Sequence, residues 1–357
     1  MKIKVGILGA SGYAGNELVR ILLNHPKVEI SYLGSSSSVG QNYQDLYPNT
    51  PLNLCFENKN LDELELDLLF LATPHEFSAK LLNENLLKKM KIIDLSADFR
   101  LKNPKDYELW YKFTHPNQEL LQNAVYGLCE LYKEEIKKAS LVANPGCYTT
   151  CSILSLYPLF KEKIIDFNSV IIDAKSGVSG AGRSAKMENL FCEVNENIKA
   201  YGLASHRHTP EIEEHLSYAA KEKITLQFTP HLVPMQRGIL ISAYANLKED
   251  LQEQDIRDIY TKYYQNNKFI RLLPPQSLPQ TRWVKSSNFA DINFSVDQRT
   301  KRVIVLGAID NLIKGAAGQA VQNMNLMFDF DEDEGLKFFA NFVKDKNVNT
   351  SYAKKRL

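Results

Sequence analysis

Apolar and polar positions follow two different rhythms along this chain. Ile3–Leu8 is a short apolar run that reads as a buried strand. Leu18, Ile21 and Leu22 then share one helical face until His25-Pro26 ends the pattern. Residues 28–33 read as a second strand, 66–72 as a third, and 91–95 and 141–144 as two more, with helical spacing over 77–87. Strands alternating with helices predict an α/β fold. Its first part is a Rossmann-type doubly wound parallel sheet that binds ligands at the carboxyl ends of its strands.

After about residue 150 the rhythm changes. Residues 169–174, 224–229, 238–247 and 269–273 are β-branched runs separated by variable loops, including a Pro-rich stretch over 273–279. Residues 296–306 read as a hairpin turning at 297–300. These predict an α+β second domain with a mixed or antiparallel sheet. Residues 310–328 then read as one helix and 336–343 as another.

The 357 residues allow two domains, each with its own core. Forty-three Lys and Arg against 42 acids give a net charge of +1, which argues against a nucleic-acid surface. No apolar run approaches the ~20 residues that span a bilayer. The opening Met-Lys-Ile-Lys-Val-Gly runs into a strand without the layout of a signal peptide. Five cysteines (Cys55, Cys129, Cys147, Cys151 and Cys192) are an odd number without metal-type spacing. Free thiols in a reducing cytoplasm are therefore expected, with no metal centre and one thiol available for catalysis.

Candidate chemistry begins at the first strand-to-helix turn, Gly9-Ala10-Ser11-Gly12-Tyr13-Ala14-Gly15. Its glycines allow backbone N–H groups to approach a pyrophosphate at a helix N-terminus; a ligand-free glycine turn is the plainer alternative. The end of the second strand reads Ser35-Ser36-Ser37-Ser38, with no acid to hold a ribose 2′-hydroxyl. Hydroxyls donate to a 2′-phosphate, which favours NADP(H) over NAD(H). A surface turn also accommodates four serines.

The second constellation is Asn144-Pro145-Gly146-Cys147, a strand running into a turn with a helix over 148–160. A thiol at a helix start has its thiolate stabilised by free N–H groups, although most lone cysteines are inert core residues. Cys151, one turn on, is read as packing. A thiol nucleophile needs a proton partner, and His206-Arg207-His208 before Thr209-Pro210-Glu211 is the densest candidate, with a solvated loop as its alternative. The small-residue loop from Ser176 and Gly177 through Ser179 and Gly180 to Arg183 suits a cofactor or anion, or is simply a long turn. His231 precedes a strand whose Arg237 could bind an anion, and His75 lies on a loop of the first half.

Together these segments resemble the N-acetyl-gamma-glutamyl-phosphate reductase family, nearly end to end. The likeness is carried by Gly9 to Gly15, Ala72-Thr-Pro-His75, Ile93-Asp94-Leu-Ser96-Ala-Asp98-Phe-Arg100, Val125 to Leu128 and Val142 to Tyr148. It continues through Lys175 to Arg183, His206 to Ile212, His231 to Gly238 and Ile309 to Ala320. The resemblance implies a fold similar to aspartate-semialdehyde and glyceraldehyde-phosphate dehydrogenases, with residues 1–146 and 310–357 forming the NADP-binding domain. Residues 147–309 would form the catalytic and oligomerisation domain of a homo-oligomer, a dimer or tetramer. It further implies NADPH-dependent reduction of an acyl phosphate to a semialdehyde, the third step of arginine biosynthesis, with Cys147 as nucleophile. His206, the first choice, or His208 would serve as acid/base.

Cofactor contacts are implied from Gly9, Ser11, Gly12, Tyr13, Ala14, Gly15, Ser35, Ser36, Ser176, Gly177, Ser179, Gly180 and Asn311. Substrate contacts, including those to phosphate, are implied from Asn144, Arg100, Arg183, Arg207, Glu211 and Arg237. The chain departs from the family at Cys129 and Thr149, where proline is usual, at Ser286, where glycine is usual, and in lacking a basic residue within the serine run. A threonine at 149 should loosen the helix start without abolishing it. An aspartyl- or aminoadipyl-phosphate reductase of the same architecture is the near alternative. A non-catalytic dinucleotide-binding redox sensor is the far one, for which Cys147→Ser would leave flux unchanged.

Overall fold

The computed structural model describes residues 2–340 and contains two sheets. The first has six strands: β1 (Ile3–Leu8), β2 (Val28–Gly34), β3 (Leu68–Leu71), β4 (Lys91–Asp94), β5 (Val125–Tyr126) and β6 (Leu141–Ala143). Their order is β2-β1-β3-β4-β6-β5 and every pairing is parallel. The order reverses between β1 and β3, so the loops after these strands flank the crevice that such a sheet offers a ligand. Val5 and Ile7 of β1 are fully buried, as expected of a strand covered on both faces.

The helical spacing over 77–87 resolves into two short helices, Phe77–Leu81 and Glu84–Lys89, because Leu82 is extended and the Asn83 side chain caps the second by accepting from the Leu86 N–H. β5 escapes sequence periodicity because it has only two residues.

The second sheet holds β7 (Ile171–Gly177), β8 (Lys199–Ala200), β9 (Gln227–Val233), β10 (Ile239–Asn246), β11 (Ile270–Leu272), β12 (Ala290–Asp297) and β13 (Arg302–Ile309). Its order is β11-β12-β13-β10-β7-β9-β8. It is mixed: β7 with β9 and β11 with β12 are parallel, and the other pairs antiparallel. The expected hairpin is the tip of the longer β12–β13 pair.

Three helices, Cys147–Lys161, Thr209–Ala220 and Glu253–Tyr264, share a core with this sheet. The last was not anticipated, since it buries only Ile256, Tyr260 and Tyr264 and its remaining surface is polar.

Residues 310–328 are not one helix. Asp310 accepts from the Leu312 and Ile313 N–H groups, a π-helical turn follows over Ile313–Ala317, and the α-helix proper is Gly318–Met327. That helix returns to the first sheet, where Val321 and Met324 share a core with Val5, Ile7, Leu18 and Val142. Of the helix expected over 336–343, residues 336–340 are non-helical and the remainder lies outside the described residues. Among the described residues no helix is long and apolar enough to cross a membrane. Among the same described residues, no cluster of three or more His, Cys, Asp or Glu is placed to hold a metal ion.

Candidate active site

A cleft of about 930 Å³ opens at the carboxyl ends of β1 and β3. One end is made from loops. Gly9 turns there with φ 88°, and a Cβ on it would lie 2.3 Å from the Ala72 carbonyl oxygen, so only glycine fits between the two strand ends. Ser11, Gly12, Tyr13 and Ala14 continue the wall, opposite Ser35 to Ser38. Gly15 does not line the cleft. It lies under the loop, where a Cβ would meet the Gly9 carbonyl at 2.3 Å, and so lets the Tyr13–Leu22 helix approach.

Of the loop after β7, Ser179 and Gly180 reach the cleft, as does Asn311, whose amide donates to the Ser179 hydroxyl (2.9 Å) and accepts from the Gly238 N–H (2.8 Å). Ser176 and Gly177 do not. Ser176 is buried with its hydroxyl on the Gly177 carbonyl, and Gly177 is pressed against the backbone of Gln236 and Arg237.

At the other end, β6 runs through Asn144-Pro145-Gly146 into the Cys147–Lys161 helix, with Cys147 as its first residue. A single carboxylate secures this turn. Glu211 Oε1 accepts from the Gly146 N–H (2.9 Å), the Tyr126 hydroxyl (2.7 Å) and the Thr149 hydroxyl (2.8 Å). Its Oε2 faces Arg100 Nη1 at 3.5 Å, and Arg100 donates in turn to the carbonyls of Asn144 and Leu95 (both 2.8 Å). The Asn144 amide donates to the Ala316 carbonyl and accepts from Asn323. A Cβ on Gly315 would sit 2.7 Å from that of Cys147, so the π-helical turn closes against the nucleophile candidate. Glu211 is fully buried and is absent from the cleft wall, which makes it a support of the turn and not a substrate contact.

Two imidazoles lie near Cys147, and the structure separates them. His208 lines the cleft with Nε2 against Gly146, where a Cβ would come within 2.5 Å. His206 stays behind it: its Nδ1 accepts from the His208 N–H (3.1 Å), and its ring is boxed by Tyr148, Tyr201 and Phe228. Of the two rings, only His208 is on the cleft wall.

Burial holds both rings neutral. It lowers His206 to about 4, aided by Arg207, and takes His208 well below the usual imidazole value, aided by His206 and Arg100. Burial also pushes the Cys147 thiol up to about 11, against the opposing pull of Arg100 and the helix-start N–H groups. Burial thus opposes the low-pKa thiolate expected at a helix start and outweighs its favourable donors.

The arginines scatter. Arg183 reaches the glycine-loop end, donating to the Ser11 carbonyl (2.6 Å) and the Tyr47 hydroxyl (3.2 Å), and is not at the Cys147 turn. Arg237 is away from the cleft and neutralised by Glu17 and Asp310. Arg207 is exposed, with its guanidinium 5.5 Å over the Tyr111 ring. His231 lies on β9 beside Asp173, away from the cleft. Sequence reasoning gave His75 no role, yet it lines the cleft; its sequence signals were its place after an apolar strand and in the Ala72-Thr-Pro-His75 segment. No carboxylate lines the cleft among the described residues, whereas Arg100, Arg183, His75 and His208 do. Such a wall favours anionic ligands.

Two family models match the chain: semialdehyde dehydrogenase, NAD binding domain, over residues 4–139, and semialdehyde dehydrogenase, dimerisation domain, over residues 147–311. A relative from Campylobacter jejuni subsp. doylei called N-acetyl-gamma-glutamyl-phosphate reductase is 98% identical over 341 residues, covering 96% of this chain and 100% of the relative. One of the same description from Lachnoclostridium phytofermentans is 56% identical over 345 residues, covering 95% and 99%. Among solved structures, aspartate semialdehyde dehydrogenase II from Vibrio cholerae complexed with ASA superposes with a TM-score of 0.68 at 17% identity, over 92% of this chain and 99% of that one. The Candida albicans aspartate semialdehyde dehydrogenase with NADP gives 0.65 at 16%, again over 92% and 99%. At those identities the structural likeness shows the fold alone.

Proposed function

This chain belongs to the N-acetyl-gamma-glutamyl-phosphate reductase family of oxidoreductases, and we propose that it reduces N-acetyl-γ-glutamyl phosphate to N-acetylglutamate 5-semialdehyde through a thioester on Cys147. The observation that carries this reading is one continuous cleft, without a carboxylate among its described lining residues, that joins a glycine loop to Cys147 and His208.

NADP(H) fits the loop end. Gly9, Ser11 and Gly12 would hold the pyrophosphate, while the hydroxyls of Ser35 and Ser36, with Arg183 across the cleft, would take the 2′-phosphate. When bound, the cofactor supplies a hydride. Neutral His208 takes the Cys147 proton as Sγ attacks the acyl carbon, and passes that proton to the departing phosphate, leaving a thioester. After hydride addition the tetrahedral carbon collapses to the aldehyde, the C–S bond breaks, and the thiol is restored with a proton from the medium. Glu211 and Arg100 hold Gly146 and Asn144, the residues leading into Cys147, in place throughout.

Residues 310–340 are assigned to the cofactor-binding half, as the buried Gly318–Met327 helix on the first sheet supports; the rest of the expected 310–357 segment lies outside the described residues. A homo-oligomer is supported by the exposed apolar side chains Met187, Leu190, Phe191, Ile198 and Leu203 in the region matching a dimerisation-domain model. Five free cysteines suit the cytoplasm. The test is phosphate-dependent NADP⁺ reduction with N-acetylglutamate 5-semialdehyde, compared with aspartate and aminoadipate semialdehydes. Folded protein inactive on the first, or faster on another, would overturn the substrate assignment.

A further inference from the structure

His75 lines the cleft but has no part in the proton transfer described above. It lies in the turn after β3, and the fold invests in placing it. The next residue, Glu76, adopts φ 67°, a left-handed conformation unfavourable for a residue with a Cβ. Buried Asp98 holds that turn by accepting from the Glu76 N–H (2.8 Å) and the Ala79 N–H (2.9 Å).

The imidazole is oriented as well. The Ala97 N–H donates to His75 Nδ1 (3.2 Å), which makes Nδ1 the acceptor and puts the ring proton on Nε2. Nε2–H has no partner among the described residues. The ring meets Tyr111 edge-on at 5.8 Å, and Tyr111 carries the Arg207 guanidinium over its face while donating from its hydroxyl to the Arg207 carbonyl (3.2 Å). Arg207 has no carboxylate partner among the described residues. Arg100 and Arg207 both lie within electrostatic reach of His75. Arg100 Nη1 also borders Gly146, 2.9 Å from where a Cβ would stand.

We infer that His75 Nε2–H, backed by Arg207 on Tyr111, forms the pocket for the phosphate that leaves the acyl carbon; this rests on the acyl-phosphate reading above. His75 lines the same cleft as Cys147, and Arg100 borders the turn that carries it, so the His75 donor faces the space where the group on the attacked carbon would lie. The substrate's α-carboxylate lies at the far end of its chain. A neutral donor beside arginine binds phosphate without adding a third cation to the site.

The test runs the reaction backward, where phosphate is a separate substrate with its own KM. His75→Phe keeps a ring and removes the donor; His75→Gln keeps a side-chain N–H at similar reach. The expected result is a rise in KM for inorganic phosphate of about tenfold or more in His75→Phe. KM for the semialdehyde and for NADP⁺ should stay within about twofold, and His75→Gln should recover most of the loss. Arg207→Met should shift KM for phosphate in the same direction. An unchanged KM for phosphate, a rise in KM for the semialdehyde instead, or lost turnover that added phosphate does not restore would each overturn the assignment. If the wild-type chain itself shows no phosphate-dependent turnover, the acyl-phosphate reading falls first and this inference with it.

Discussion

At the cofactor end of the cleft the wall is backbone and hydroxyl: Gly9, Gly12, the serine run, and one exposed guanidinium, Arg183. At the reacting end it rests on buried charge. Glu211 and Arg100 are almost wholly excluded from solvent and spend their hydrogen bonds on the turn that carries Cys147. The first end can adapt to a ligand because its donors sit on short loops near solvent. The second is fixed before the substrate arrives, as suits a site that must aim one sulfur at one carbon. Substitutions should therefore affect binding at the first end, and turnover and stability together at the second.

The largest effect is expected at Cys147. Serine is a far weaker nucleophile at neutral pH, so Cys147→Ser should lower kcat by about a thousandfold or more. NADPH affinity, read by fluorescence titration, should remain, because Cys147 is not part of the glycine loop. Loss of NADPH binding in this variant would mean that the two ends are not separable. The pH profile sharpens the point. His208 must be neutral to accept the thiol proton, and burial lowers its pKa, so falling pH protonates it late. The acid limb of kcat/KM should thus lie below the ordinary imidazole value of about 6.5. A limb at or above that value would remove His208 from the role.

Glu211→Gln comes next. The amide keeps an acceptor for Gly146 but leaves Arg100 buried without its counter-charge, a loss of about 3 kcal/mol. A misplaced turn should also lower kcat by about a hundredfold. Urea unfolding and steady-state kinetics on the same sample check both. A variant that loses activity but no stability would make Glu211 a participant in the chemistry and not a support.

This contrast also accounts for what the sequence made legible. Gly9, the serine run and the Asn144–Cys147 turn are local signals, in which conformational need and chemistry sit in adjacent residues. The partners at the reacting end lie far apart in the chain: Arg100, Tyr126, Cys147, His208, Glu211 and Gly315 meet only because helices from both halves converge. Spacing could not choose between His206 and His208, since the choice depends on which ring the Thr209–Ala220 helix turns toward Gly146. Nor could it show that Arg237 is already taken by Glu17 and Asp310. His75 was named but given no role, because its orientation comes from the Ala97 backbone, which the Ala72-Thr-Pro-His75 segment does not reveal.

At the cofactor end, Arg183→Gln should raise KM for NADPH by about tenfold and leave KM for NADH nearly unchanged, since only NADPH carries the 2′-phosphate. An equal rise for both cofactors would move Arg183 from the 2′-phosphate to the shared pyrophosphate. No change for either would leave it bracing Ser11 and Tyr47.

The smallest effect is expected at Thr149, where the sequence implied a loosened helix start. Instead its hydroxyl lies 2.6 Å from the Gly146 carbonyl and 2.8 Å from Glu211 Oε1, binding the first turn of the helix to the residue that secures it. Thr149→Val preserves the shape and removes the hydroxyl. The cost should be about 1 kcal/mol in urea unfolding, with kcat changed less than about threefold, because Gly146 and Tyr126 still hold Glu211. A loss comparable to that of Glu211→Gln would shift the anchor of the turn onto the threonine. A variant as stable as the parent would show that the backbone amide and the tyrosine already saturate the carboxylate.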